Sequence, residues 1–229
     1  MVYEPGHVSN KLSGFLSKYG FWQTIEIVLD RLVDALNPFL IINRLNIMRK
    51  CKQIGRNVRL SGWNSFRAYN KGEIALGDEV GLDGNCEIWA RDNGKIEIGG
   101  GTHLEKMVRL NTAYNGTLKI GKNCYFGQLA NINAFDKIDI GDNCLISGFV
   151  MIIDTDHDTN ASENMNEERI RTKPVKIGNN VWLARGVSVL KGVTIGNGAV
   201  IGAHSVVTKD IPPNSIAVGV PAQVIKTRE

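Results

Sequence analysis

The amino-acid sequence predicts an all-β fold, a three-sided parallel β-helix of about seven coils preceded by an N-terminal α-helical cap. Three observations carry the prediction: an aliphatic-Gly pair recurring between residues 54 and 196, an aliphatic residue at every sixth position inside each repeat, and helical apolar spacing confined to the first 53 residues. The 25 glycines, against 6 prolines in 229 residues, fit such a repeat, because permissive backbone is needed at intervals along the whole chain.

The pair stands at Ile54-Gly55, Leu76-Gly77, Ile98-Gly99, Ile120-Gly121, Ile140-Gly141, Ile177-Gly178 and Ile195-Gly196. Four residues after each aliphatic comes a small or β-branched side chain: Val58, Val80, Thr102, Cys124, Cys144, Val181 and Ala199. The aliphatic returns every six residues, as in Leu76, Leu82 and Ile88 or Ile177, Leu183 and Val189, so three segments make a unit of 18. Unit starts lie 22, 22, 22, 20, 37 and 18 residues apart, which places insertions of 4, 4, 4, 2, 19 and 0 after the third segment, at one corner.

Each six-residue segment reads as a short strand and a turn; three close a triangular coil, and coils stack as parallel strands about 4.8 Å apart. The first position points inward, the fifth lies inside a corner where small side chains fit, and Gly serves the tight bends. Cys124 and Cys144 hold fifth positions, as does Cys86 in a second segment. They read as small buried hydrophobes, free thiols whose spacing matches no zinc pattern.

Residues 1–53 lack the repeat and form a separate N-terminal segment, with the β-helix domain and its C-terminal cap spanning 54–229. From Phe21 to Leu36 the apolar residues Ile25, Val28, Leu29, Leu32 and Leu36 follow helical spacing, and Asn37-Pro38 is expected to end that helix. A second apolar segment, Phe39 to Met48, leads into Arg49, Lys50 and Lys52. Two readings stand: a cap over the open end of the prism, or peripheral contact of residues 1–53 with an anionic membrane surface.

Composition narrows the function. With 43% hydrophobic and 22% charged residues the chain is globular, and the +4 net charge resides mostly in the first 53 residues, so no nucleic-acid footprint is indicated. The longest uninterrupted apolar run near the N-terminus is Phe39 to Ile42, too short for a signal peptide or membrane span. A cytoplasmic protein is expected, with the inner face of the membrane as a location if the N-terminal segment docks there.

Of the four histidines, His157 has distinctive company: it closes the third segment of the fifth coil, beside the one long insertion, residues 158–174, and among Asp154, Asp156 and Asp158. A long excursion from a tight repeat usually forms a lid or binding wall. An imidazole there can take a proton from a hydroxyl and return it to a leaving thiolate, with a nearby carboxylate orienting the ring. Spacing does not choose among the aspartates. His103 and His204 read as surface residues.

The stretches Gly178-Asn-Asn-Val-Trp-Leu-Ala-Arg-Gly-Val, Gly192-Val-Thr-Ile-Gly-Asn-Gly-Ala-Val-Ile-Gly-Ala, Val207-Thr-Lys-Asp-Ile-Pro-Pro-Asn and Gly219-Val-Pro-Ala resemble the hexapeptide-repeat O-acetyltransferases, with sugar, galactoside and capsule or O-antigen acetyltransferases as the nearest relatives. The resemblance covers residues 54–226 and is most specific in the last 50. It implies a left-handed coil, a homotrimer with sites between subunits, acetyl-CoA as co-substrate, a sugar or glycan acceptor and no metal. The family's catalytic histidine falls 17 residues after an Ile-Gly pair, where this chain has His157 after Ile140. Carried over by position, Trp182 lines the pantetheine channel; Ala184, Arg185 and Ala203 contact the arm; Thr208, Lys209 and Lys226 reach the nucleotide and its phosphates. Asn131, Asn133 and Asp156 are the candidate acceptor contacts.

Two departures stand out. Where galactoside acetyltransferases place a substrate-binding Asn this chain has Gly127, and where they place a Ser near the oxyanion it has Arg185. The acceptor is therefore not expected to be a simple galactoside. Alternatives are N-acetylation of an amino sugar, a metal enzyme resembling the γ-type carbonic anhydrases, which requires three clustered imidazoles, and a non-catalytic scaffold.

Overall fold

A computed structural model describes residue 25, residues 37–158 and residues 170–228. The chain divides into two compact units, Met1–Asn43 and Arg44–Glu229. The segment expected as a helix from Phe21 to Leu36, and with it most of the stretch expected to touch a membrane, lies outside the described residues.

The second unit is the expected all-β parallel solenoid. Its first sheet stacks seven strands, Gln53–Ile54, Glu73–Leu76, Lys95–Ile98, Thr117–Ile120, Lys137–Ile140, Val175–Ile177 and Thr194–Ile195. The second sheet runs through Arg59–Leu60, Gly81–Leu82, His103–Leu104, Tyr125–Phe126, Leu145–Ile146, Trp182–Leu183 and Val200–Ile201, and ends in Ser215–Val218 and the antiparallel Gln223–Thr227. The third contains Ser65–Tyr69, Glu87–Arg91, Arg109–Thr112, Asn131–Ala134, Met151–Ile153, Ser188–Val189 and Val206–Val207.

Register confirms the six-residue period: Leu76 pairs with Ile98, Leu82 with Leu104, and Ile88 with Leu110, all buried in one core. Cys86, Cys124 and Cys144 lie in that core, and burial pushes the Cys86 thiol up to about 11, so it behaves as an inert hydrophobe. The insertions fall where expected, at the corner from the third sheet back to the first. Three of them turn through consecutive left-handed residues, Asn70-Lys71, Asp92-Asn93 and Tyr114-Asn115.

The recurring glycine has a different cause from the one expected. The bend itself falls two residues later, on Asn57, Glu79, Asn123, Asn143 and Asn180, all with positive φ. Gly77 instead stands where the next coil passes: a Cβ there would lie 2.6 Å from the Gly100 amide nitrogen. The side chain is excluded by the spacing of the coils, not by the dihedral angles of the turn. Gly77→Ala is expected to cost about 2 kcal/mol of stability, an overpacking penalty readable from a urea midpoint; an unchanged midpoint would show that the coils separate freely.

Asn37-Pro38 begins a helix. The Asn37 Oδ1 accepts the Phe39 amide at 3.0 Å, and Pro38 opens the helix Pro38–Lys50, because a ring with no N–H suits the first helical position. At the far end of this helix Ile47 is buried in the prism core and Arg44 Nε donates to the Leu60 carbonyl at 3.1 Å. Ile47 and Arg44 thus pack this end of the helix against the β-helix. None of the described helices is long and apolar enough to cross a membrane.

Candidate active site

The third segment of the fifth coil does not close like its neighbours. After Met151–Ile153 the chain leaves the prism, and Thr155–His157 pairs antiparallel with Ile170–Thr172, His157 opposite Ile170. The two stretches flanking residues 158–169 therefore run antiparallel to each other, with the imidazole on the last of their three pairs. His157 is exposed.

The expected acidic company is present but otherwise engaged. Asp154, fully buried, accepts the amides of Phe135 at 2.9 Å and Asp136 at 2.8 Å, while its own carbonyl accepts the Lys173 amide. Asp156, a candidate acceptor contact, lies 3.1 Å from Lys191, and Asp158 lies 2.6 Å from Arg171. Among the described residues of one chain, no carboxylate holds the His157 ring. Among the described residues these aspartates instead meet backbone amides, Lys191 and Arg171.

The candidate acetyl-CoA residues divide between places. Trp182 stands exposed on the second sheet, its indole N–H donating to Ser147 Oγ at 3.2 Å. Ala184 and Arg185 follow at the corner between second and third sheets, and Ala203 occupies the same corner one coil on. The Arg185 guanidinium lies 4.2 Å from the centroid of the Phe149 ring. Together these residues make a wall with a flat ring, two small side chains and a cation. Thr208 and Lys209, both exposed, stand at the corner from the third sheet back to the first, which is the corner of the His157 hairpin. Lys226 is exposed on the final antiparallel strand of the second sheet. Within one chain, His157 and the Trp182 wall are thus separated by the width of the third sheet, about 15 Å for the intervening residues at ~3.3 Å each.

Asn131 and Asn133 point outward from the third sheet on the coil before His157, with Asn133 Nδ2 donating to Asn131 Oδ1 at 3.1 Å. His103, read as an ordinary surface residue, has a partner: its Nε2 lies 3.0 Å from Asp83 Oδ2 and its ring stacks on Tyr125. Tyr125 is held by Glu105, whose hydrogen bond pushes the phenol up to about 12. Lys191, Ser147 and Phe149 are neighbours of the site that the motifs alone do not single out. Their signal is present in the register, since Ser147 and Phe149 occupy the positions of Ala184 and Gly186 one coil earlier. Among the described residues, no group of three His, Cys, Asp or Glu side chains is placed to hold a metal ion.

Comparison with known proteins gives this geometry its context. Residues 174–209 match the family model "Bacterial transferase hexapeptide (six repeats)". These residues carry bacterial transferase hexapeptide repeats. Over 89 residues it is 43% identical to the galactoside O-acetyltransferase of Escherichia coli, an alignment covering 39% of this chain and 43% of that protein. It is 37% identical over 99 residues to the Mycobacterium tuberculosis protein named "Probable acetyltransferase Rv3034c", covering 43% of this chain and 33% of the relative. The chain thus spans less than half the length of these two curated relatives. The structure of a point mutant of AntD, an N-acyltransferase from Bacillus cereus in complex with dTDP and coenzyme A, superposes with a TM-score of 0.53 at 25% identity, covering 81% of this chain and 89% of that one.

Proposed function

We propose that this hexapeptide-repeat chain transfers the acetyl group of acetyl-CoA to a hydroxyl of a sugar or glycan, as a homotrimer. The observation that carries the reading is an exposed histidine on the antiparallel pair of Thr155–His157 with Ile170–Thr172, one corner away from the Trp182 wall, in a chain similar to a galactoside O-acetyltransferase. Because one chain holds the two elements on different corners, the reading joins the His157 corner of one protomer to the Trp182 wall of its neighbour.

The surface supports such an assembly. Met107, Leu129 and Phe149 stack on consecutive coils at the second corner, exposed by 40%, 38% and 46%, and each has a left-handed φ. Bulky side chains rarely adopt that conformation, and an exposed apolar ridge of this kind marks an interaction surface.

In the proposed reaction His157 removes the acceptor hydroxyl proton as the oxygen attacks the thioester carbonyl. The tetrahedral oxyanion collapses, the carbon–sulfur bond breaks, and the imidazolium returns its proton to the CoA thiolate. The buried Cys86, Cys124 and Cys144 are unsuited to a covalent relay, so transfer is direct. Lys209 and Lys226 supply cations for the nucleotide phosphates. Trp182→Ala is expected to raise KM for acetyl-CoA about tenfold while kcat is nearly kept, the signature of lost uniform binding; an unchanged KM would remove Trp182 from the wall.

The direct test is mass spectrometry of glycans and nucleotide sugars incubated with acetyl-CoA and the protein, in which the reading expects a product heavier by one acetyl group. No acetylated product, with no shift in thermal stability on adding acetyl-CoA, would refute it. The superposition on an N-acyltransferase favours amino-sugar N-acetylation as the second reading. Release of the product's acetyl group by mild alkali separates an ester from an amide.

A further inference from the structure

We infer that the outer face of the third sheet, on the coils preceding the His157 hairpin, binds a carboxylate-bearing sugar unit, so that the acceptor is an acidic glycan lying along the coil axis. The inference rests on the glycan-acetylation reading and adds the class of acceptor.

Register places two columns on this face. One runs Arg67, Trp89, Asn111, Asn133, Ile153, and the other Glu87, Arg109, Asn131, Met151, while Ile88, Leu110, Ile132 and Ile152 between them point into the core. The guanidinium carbons of Arg67 and Arg109 lie 4.4 and 4.7 Å from the Trp89 ring centroid, so one indole holds two cations in place. Arg91 joins them from the next position, donating to Asn111 Oδ1 at 3.3 Å. Asn111 in turn donates to Asn133 Oδ1 at 3.3 Å. A polar ladder therefore runs from the arginines to the coil before His157.

Donors exceed acceptors here. Glu87, 3.5 Å from Arg109 Nε, is the one carboxylate paired with these three guanidinium groups, and among the described residues Arg67 and Arg91 make no ion pair. Trp89 Nε1 and Arg91 Nε are buried without a hydrogen-bond acceptor among the described residues. Buried donors of this kind call for an explanation, and a ligand that brings acceptors and negative charge supplies one. Planar guanidinium groups match a carboxylate in bidentate geometry, and the Asn amides, which both donate and accept, suit sugar hydroxyls. Trp89 and Ile153 are three coils apart, about 14 Å at ~4.8 Å per coil. An acidic unit on the arginines and a reacting hydroxyl at His157 therefore belong to one extended chain, not to a monosaccharide.

The test is calorimetric titration, without acetyl-CoA, of oligoglucuronate, oligogalacturonate and oligosialate, each beside its carboxyl-reduced counterpart, and of a phosphorylated neutral oligosaccharide. Wild type is expected to bind at least one acidic oligosaccharide, about tenfold or more tighter than its reduced form. The double variant Arg67→Gln/Arg91→Gln should lose that preference while keeping its thermal midpoint and acetyl-CoA affinity, and Arg67→Lys/Arg91→Lys should keep part of it. Equal binding of acidic and reduced forms, tighter binding of the phosphorylated sugar, or an undiminished preference in the Gln variant would overturn the inference. Acetyl transfer to glycans regardless of charge would overturn it while leaving the parent reading intact. A carboxylate preference with no acetyl transfer to any glycan would keep the binding face and remove the parent reading.

Discussion

His157→Ala is expected to lower turnover on the acceptor about a hundredfold or more, with acetyl-CoA binding unchanged. A positioned general base contributes about two to four orders of magnitude to a proton transfer of this kind. The loss should fall on kcat and kcat/KM together, because the imidazole acts on the developing alkoxide and not on the bound thioester. The side chain is exposed and makes no contact needed by the prism, so the variant should fold with an unaltered midpoint. Steady-state kinetics beside a thermal shift with acetyl-CoA reads both quantities; full turnover in the variant would remove His157 from the mechanism.

The second large effect is on stability and reaches the site through the backbone. Asp154→Ala is expected to destabilise the protein by about 3 kcal/mol, because the buried carboxylate accepts the Phe135 and Asp136 amides and its loss leaves both unpaired at about 1–3 kcal/mol each. It should also loosen the take-off of the hairpin that carries His157. Burial, the largest influence, raises the Asp154 carboxyl above the usual carboxylate range, against the opposing pull of the Phe135 and Asp136 amides. A carboxyl raised in the folded state binds its proton more readily there than in the unfolded chain. Its contribution to stability therefore falls as pH rises from the unfolded pKa through the folded one, and is recovered on acidification. Urea midpoints of wild type and Asp154→Asn across mildly acidic pH should converge or diverge with that sign; parallel curves would show that Asp154 titrates normally.

The prism is legible in the sequence because the period of six is enforced by packing. Every coil must present an aliphatic side chain such as Leu82 or Ile132 to the same axis, and the insertions can leave only where the chain turns from the third sheet to the first. Local patterns mislead where one pattern has two causes. Gly77 looks like a turn residue, yet the space is taken by the backbone of Gly100, one coil later, a contact invisible in a local window. Asn37-Pro38 suits the end of one helix and the start of another alike; the cap on the Phe39 amide shows the start, while the segment before Asn37 lies outside the described residues.

The site is legible in part. The excursion beside His157 is visible in the spacing, but its antiparallel pairing with Ile170–Thr172 breaks the parallel repeat and lies outside any periodic signal. Three aspartates next to a histidine suggest a dyad, and each is drawn elsewhere, to backbone amides, Lys191 or Arg171. The Arg67, Trp89 and Arg109 cluster matches no motif, although its members stand near 22-residue spacing, one coil apart on one face.

The most direct test of a site shared between protomers is complementation. Two variants are prepared, His157→Ala and Ala203→Trp, the second blocking the proposed acetyl-CoA wall, and each is assayed alone and after co-assembly in equal amounts. If each site takes its base from one protomer and its wall from the next, random mixing in a symmetric ring restores about a quarter of the wild-type sites. Mixed assemblies that show no more activity than the sum of the two variants alone would contradict the account.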